Sequence, residues 1–128
     1  MNKTIFLTGI VLGATAVILG AFGAHGLKKV IDADAIQTFE TGVKYQMYHA
    51  LLLLVLGSMK QLPEASKKLV YYFLLIGICC FSFSIYLLAT NSLFAFDFRV
   101  IGMVTPLGGT LLIIGWGIFG YRVYKHFG

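Results

Sequence analysis

Four stretches of the chain contain no Asp, Glu, Lys or Arg: Thr4 to Ala24, Tyr45 to Met59, Leu69 to Phe96 and Val100 to Tyr121. A helix needs about 20 mostly apolar residues to cross the hydrocarbon of a bilayer. The first, third and fourth stretches are long enough as they stand. The second is shorter and reaches across by drawing in Thr41 to Lys44, because a lysine can lay its stem along a helix and hold its ammonium at the interface. With 59% of the residues hydrophobic, 12% charged and a mean hydropathy of +0.87, the chain cannot cover a water-facing surface. A soluble enzyme, a nucleic-acid-binding module and a disordered tail are excluded.

The expectation is an all-α integral membrane protein, a single domain over residues 1–128 built as a four-helix bundle. The helices are expected at about 4–24, 41–59, 64–90 and 100–124, with a short interfacial amphipathic lead-in at about 35–41. The first apolar run is longer than the usual core of a secretory signal, and it is read as a mature helix. An even number of spans puts both termini on one side, with Lys3, Lys60, Lys67, Lys68, Arg122 and Lys125. The other side has Lys28, Lys29, Lys44 and Arg99, with Asp32, Asp34, Glu40 and Asp97 beside them. The excess of basic residues near span ends favours a multi-pass protein of the cell (plasma) membrane with both termini cytoplasmic.

Local signals refine the helices. Gly9, Gly13, Gly20 and Gly23 form a stripe of small residues on the first helix, which allows close backbone approach to another helix. Packing within the chain has first claim on that stripe. Asp34 followed by Gln37 resembles a helix cap with its reciprocal partner, and Ile36, Phe39 and Val43 share one face. Pro63 and Glu64 suit the first turn of the third helix. Pro106 predicts a kink in the fourth, because the carbonyl of Gly102 would lose its helical partner. Tyr121 and Tyr124 are expected as interfacial anchors. Cys79 and Cys80, adjacent on a helix within hydrocarbon, are read as inert fillers.

An ionisable residue at membrane depth is a functional candidate by default. His49 is the foremost. Eight residues from Thr41 at 1.5 Å per residue put it about 12 Å deep. Glu40 and Lys44 stand four apart in the order that favours an ion pair, as Lys44 and Tyr48, and Tyr45 and His49, repeat that spacing. His25, at the end of the first helix, and Thr105, Pro106, Gly108 and Gly109, on the fourth, fall in the same half of the membrane. The expected ligand site is therefore a polar pocket of His25, Glu40, Lys44, Tyr45, Tyr48 and His49, closed by Thr105 to Gly109. No spacing typical of a metal site, no nucleophile–base motif and no phosphate loop is present, so neither a metal, a cofactor nor a catalytic residue is expected.

The segments Gly20-Ala-Phe-Gly-Ala-His-Gly-Leu27, Phe39-Glu-Thr-Gly-Val-Lys-Tyr-Gln-Met-Tyr-His-Ala-Leu51, Thr105-Pro-Leu-Gly-Gly109 and Gly115-Trp116 resemble the signature segments of the domain-of-unknown-function 423 family, also called the transmembrane protein 256 family. The resemblance runs in order over essentially the whole chain. It implies a small four-helix membrane protein of a mostly bacterial family with eukaryotic relatives, and it supplies no catalytic residues. The functional class that fits best is a non-catalytic accessory, scaffold or lipid-binding component forming a homo-oligomer. Its partners would be membrane lipid and an unidentified membrane protein, with no nucleic acid. The alternatives are a small carrier or channel with His49 as a protonatable gate, and an intramembrane enzyme acting on a lipid headgroup through His25 or His49.

Overall fold

The structure, a computed structural model, describes residues 2–128. The described residues form four long helices and no strand: α1 (Lys3–His25), α2 (Ala33–Ser58), α3 (Glu64–Ala89) and α4 (Val104–His126). Short 3₁₀ turns over Leu27–Lys29, Asn91–Leu93 and Phe98–Ile101 connect them. The segments Lys3–Lys29, Glu64–Ala89 and Phe98–His126 are long and apolar enough to cross a membrane. The fourth element, α2, is 26 residues long, enough at 1.5 Å per residue to match them, but its first turns are polar.

Each helix starts or stops for a local reason. Asn2 caps α1 by accepting from the Ile5 amide at 3.1 Å. The same asparagine ties three elements together, its amide bonded to the Gly57 carbonyl and its side chain to Glu64. Asp32, rather than Asp34, caps α2, accepting from the Ala35 amide at 2.8 Å. The helix therefore begins eight residues before Thr41, and the amphipathic segment expected at 35–41 joins it without a break. Its apolar face, Phe39 and Val43, turns toward α1, where Gly23 and Gly20 receive the two side chains. The loop after α3 is pinned at Asp97, whose carboxylate accepts from the Arg99 guanidinium at 2.8–3.0 Å. Those bonds hold the carboxyl down at about 2.

Two features of the later helices depart from the sequence expectation. The third helix changes pitch at its centre, with a π-helical turn over Cys79–Phe83 between α-helical Glu64–Ile78 and Ser84–Ala89. Pro106 makes no kink. It stands in the first turn of α4, where a missing amide hydrogen leaves no helical bond unmade.

Contacts fix the topology. Gly57 meets Phe6 and Gly23 meets Phe39, so α1 and α2 are antiparallel. Gly42 meets Tyr86 and Ile85, and Gly108, Leu112 and Gly115 meet Phe81, Gly77 and Leu74 in reverse order along α3. Both termini thus lie at one end of the bundle, as an even number of spans requires. The core there is Ile5, Leu53, Leu56, Val70 and Leu74, while Leu27, Phe39 and Ala89 close the opposite end. The glycine stripe of α1 faces α2 inside the chain. A Cβ on Gly9 would come within 2.9 Å of the Ala50 carbonyl oxygen, and one on Gly23 within 3.0 Å of the Phe39 ring.

Candidate functional site

The middle of α2 carries two buried polar residues on different faces. Gln46 points to α1 and α3, and its bonding capacity is largely used. Its Nε2 donates to the Leu12 carbonyl and the Thr15 hydroxyl, both at 2.8 Å, and its Oε1 accepts from the Tyr86 hydroxyl at 2.6 Å. One turn earlier Ser82 donates to the Gly42 carbonyl at 2.8 Å, which ties α2 to the π turn of α3. Buried polar groups within hydrocarbon need such partners, and here each supplies the other's.

His49 faces α4. Its Nδ1 lies 2.7 Å from the Tyr45 carbonyl oxygen, and the Trp116 indole N–H donates to its Nε2 at 3.0 Å. A carbonyl only accepts and an indole N–H only donates, so the two bonds together fix the tautomer. Nδ1 carries the hydrogen, Nε2 offers its lone pair, and the imidazole is neutral with both nitrogens engaged. A second ring proton would face the indole N–H and break that bond. Tyr45 stacks beside the imidazole at 6.5 Å between centroids and also packs on Phe81 at 5.1 Å.

Beside this cluster lies a cleft of about 330 Å³ lined by Tyr45, His49, Phe81, Gly109, Leu112, Ile113 and Trp116. Gly109 leaves the floor open, and the π turn of α3 supplies Phe81 as a wall. Apart from the engaged imidazole, the indole N–H and the Tyr45 hydroxyl, the lining side chains are hydrocarbon. Trp116 is 49% exposed and stands at the mouth, toward the surrounding membrane.

Of the residues expected in a common pocket, the structure brings Tyr45, His49 and Gly109 to this cleft. Tyr48 packs edge-on against Tyr45 but lies outside it. His25, Glu40 and Lys44 are exposed, and among the described residues no ion pair joins Glu40 to Lys44. Thr105 bonds the Ser84 hydroxyl at 2.6 Å, Pro106 is exposed, and Gly108 is buried against the backbone of Cys80 and Phe81. Cys79 is exposed and Cys80 half-buried, and both are free thiols. No group of three or more His, Cys, Asp or Glu gathers among the described residues.

Trp116 and Phe81 complete the site without having been named as site residues from the sequence. A signal existed for Trp116, the chain's one tryptophan, because it falls mid-helix rather than at an interface, where tryptophan ordinarily sits. Phe81 reaches the cleft from the π turn, which side-chain periodicity does not reveal.

Comparison with known proteins agrees with this architecture. A family model described as a protein of unknown function (DUF423) matches residues 19–109, a range that includes Gly23, His49, Phe81 and Gly109. A UPF0382 membrane protein of Staphylococcus saprophyticus is 39% identical, over 96% of this chain and 98% of its own. One of Haemophilus influenzae is 38% identical, over 96% of each. The UPF0382 membrane protein YwdK of Bacillus subtilis is 38% identical, over 89% of this chain and 90% of its own. No solved structure matches. With three helices long and apolar enough to cross a membrane, a match across most of its length and full-length relatives named as membrane proteins, the chain belongs to the DUF423 family of membrane proteins of unknown function.

Proposed function

We propose that this protein is a non-catalytic lipid-binding component of the membrane, and that the cleft between Tyr45 and Trp116 takes a lipid acyl chain. The observation that carries this reading is the neutral, doubly bonded state of His49. With Nδ1 on Tyr45 and Nε2 on Trp116, the histidine has no free lone pair to take a proton from a substrate. That argues against a proton gate or an acid–base residue at this position. What is left is an apolar cleft bordered by aromatic rings, at a depth where acyl chains are the surrounding solvent. The small polar area at its mouth asks no charge of its occupant. In this reading the end of the bundle carrying the termini is cytoplasmic, in keeping with its excess of basic side chains.

Gly109→Leu supplies the test. A Cβ at Gly109 meets the Phe81 ring at 3.5 Å, an ordinary contact, so a larger side chain can enter the cleft while the helices stay in place. Trp116, the only tryptophan, reports the occupant by fluorescence. In phosphatidylcholine vesicles brominated along the acyl chain, wild-type emission is expected to be strongly quenched. The quenching should fall clearly in Gly109→Leu, with helical content unchanged. Equal quenching in both proteins would mean that acyl chains reach the indole only from outside the cleft.

A further inference from the structure

All of the chain's net positive charge sits at the end of the bundle that carries the termini. That end has Lys3, Lys60, Lys67, Lys68, Arg122 and Lys125 against one acidic residue, Glu64, whereas the other end has four residues of each sign. Two of the six basic residues are not ordinary surface charges. The Lys67 side chain is 1% exposed, and its ammonium bonds Glu64 Oε1 at 3.3 Å, a carboxylate that is itself 54% exposed and shared with Asn2. An ammonium has three hydrogens to donate. The second is Arg122, whose Nε is buried with no hydrogen-bond partner.

The packing of α3 on α4 sets these two residues level. Gly108 meets Phe81, Leu112 meets Gly77, and Gly115 meets Leu74, so every step along α4 is matched by an equal step back along α3. Arg122 lies seven residues beyond Gly115, and Lys67 seven residues before Leu74. The seven-residue spacing of Gly108, Gly115 and Arg122 also keeps them on one stripe of α4, the stripe that faces α3. Lys67 stands in the first turns of α3, a helix start whose capping residue, Pro63, offers no side-chain bond. Lys67 has only the exposed Glu64 carboxylate as a partner, and the register brings Arg122 to its level on the neighbouring helix, so two cations share that level with one anion. An anion at this place would answer all three features: the unused ammonium hydrogens, the unpartnered Nε–H and the uncapped helix start.

We infer that Lys67 and Arg122 form a binding site for a phosphate group at the terminal end of the α3–α4 seam. A basic pocket between transmembrane helices at headgroup level is the setting in which anionic phospholipids are held. The same chemistry would accept free inorganic phosphate. This site lies on different residues from the His49 cleft and stands or falls independently of it.

The test follows the melting temperature of the full chain in neutral detergent on addition of phosphatidylglycerol, phosphatidylcholine or inorganic phosphate. Wild type is expected to rise by on the order of 5 °C with phosphatidylglycerol and to change little with phosphatidylcholine. Arg122→Gln should weaken the apparent phosphatidylglycerol affinity about tenfold, the effect of losing a charge-assisted contact, and Lys67→Met should do the same from the other helix. Lys125→Gln removes the same charge from an exposed position at the same end and should leave the affinity nearly unchanged. If inorganic phosphate alone gives the Arg122-dependent rise, the site holds free phosphate. If phosphatidylglycerol gives it and inorganic phosphate does not, the site holds a headgroup. Absence of any rise in wild type, or equal loss in Lys125→Gln and Arg122→Gln, would overturn the site and leave only diffuse surface charge.

Discussion

Gly108→Leu is expected to cost the protein most of its stability. The Cβ alone would collide with the backbone of Cys80 and Phe81 at the π turn of α3, atoms that cannot rotate aside. Overpacking in a close-packed interior costs typically about 1–3 kcal/mol even where side chains can yield. Here α3 and α4 must separate, so about 3 kcal/mol or more is expected. Separation would also disturb the Ser84–Thr105 bond and the wall that Phe81 gives the cleft. Thermal melting in detergent, followed by circular dichroism, should show a large drop or no folded protein. Gly13→Ala is the contrast: its Cβ would meet Ala50 at 3.7 Å, an ordinary contact, and melting should be near that of wild type. Comparable melting of the Gly108 and Gly13 variants would mean that the α3–α4 seam is looser than its geometry.

Gln46→Leu is expected to be the next most damaging change, although it puts an apolar residue into an apolar place. It removes two donated bonds and one accepted bond that join α2 to α1 and to α3. Hydrogen bonds between membrane helices average near 0.6 kcal/mol each, so the three together suggest about 2 kcal/mol. The Tyr86 hydroxyl is then left without its acceptor in a half-buried position. Tyr86→Phe in the same protein should therefore return part of the loss, so that the double variant melts above Gln46→Leu alone. A double variant that melts lower, by the sum of the two single effects, would show that Gln46 and Tyr86 act independently.

The architecture was legible because the bilayer imposes it. Charge-free runs of the required length, with basic residues between them, leave little besides a helical bundle, and the structure has helices where those runs lie. Boundaries were less legible where two signals competed. Asp32 and Asp34 both suit a helix start, and the structure uses the earlier one, whose side chain accepts from the Ala35 amide. Pro106 reads as a kink if α4 begins at Val100, yet the 3₁₀ turn at Phe98–Ile101 delays the helix until Val104 and places the proline in its first turn.

The site was legible only in part, for a related reason. Spacing on one helix correctly puts Tyr45 beside His49, because that relation is local. Which residue of another helix meets His49 depends on rotation and register between helices, and depth alone does not give them. Depth brought His25, Glu40, Lys44 and Thr105 to one level of the membrane, but the bundle turns His25, Glu40 and Lys44 outward and pairs Thr105 with Ser84. The partner that does arrive, Trp116, supplies a donor, and a donor fixes His49 as a neutral acceptor. The polar pocket that depth suggested is replaced by a cleft lined mostly by aromatic and aliphatic side chains.

Whether the cleft beside His49 and Trp116 holds a lipid chain is decided by counting lipids. Native mass spectrometry of the protein released from mild detergent gives the number of phospholipids retained per chain. Wild type is expected to keep one phospholipid more than Gly109→Leu, in which the cleft is filled by the new side chain. The same difference should persist between Arg122→Gln and the Arg122→Gln, Gly109→Leu double variant, since the two sites share no residue. Identical lipid counts for wild type and Gly109→Leu, both folded, would contradict the account.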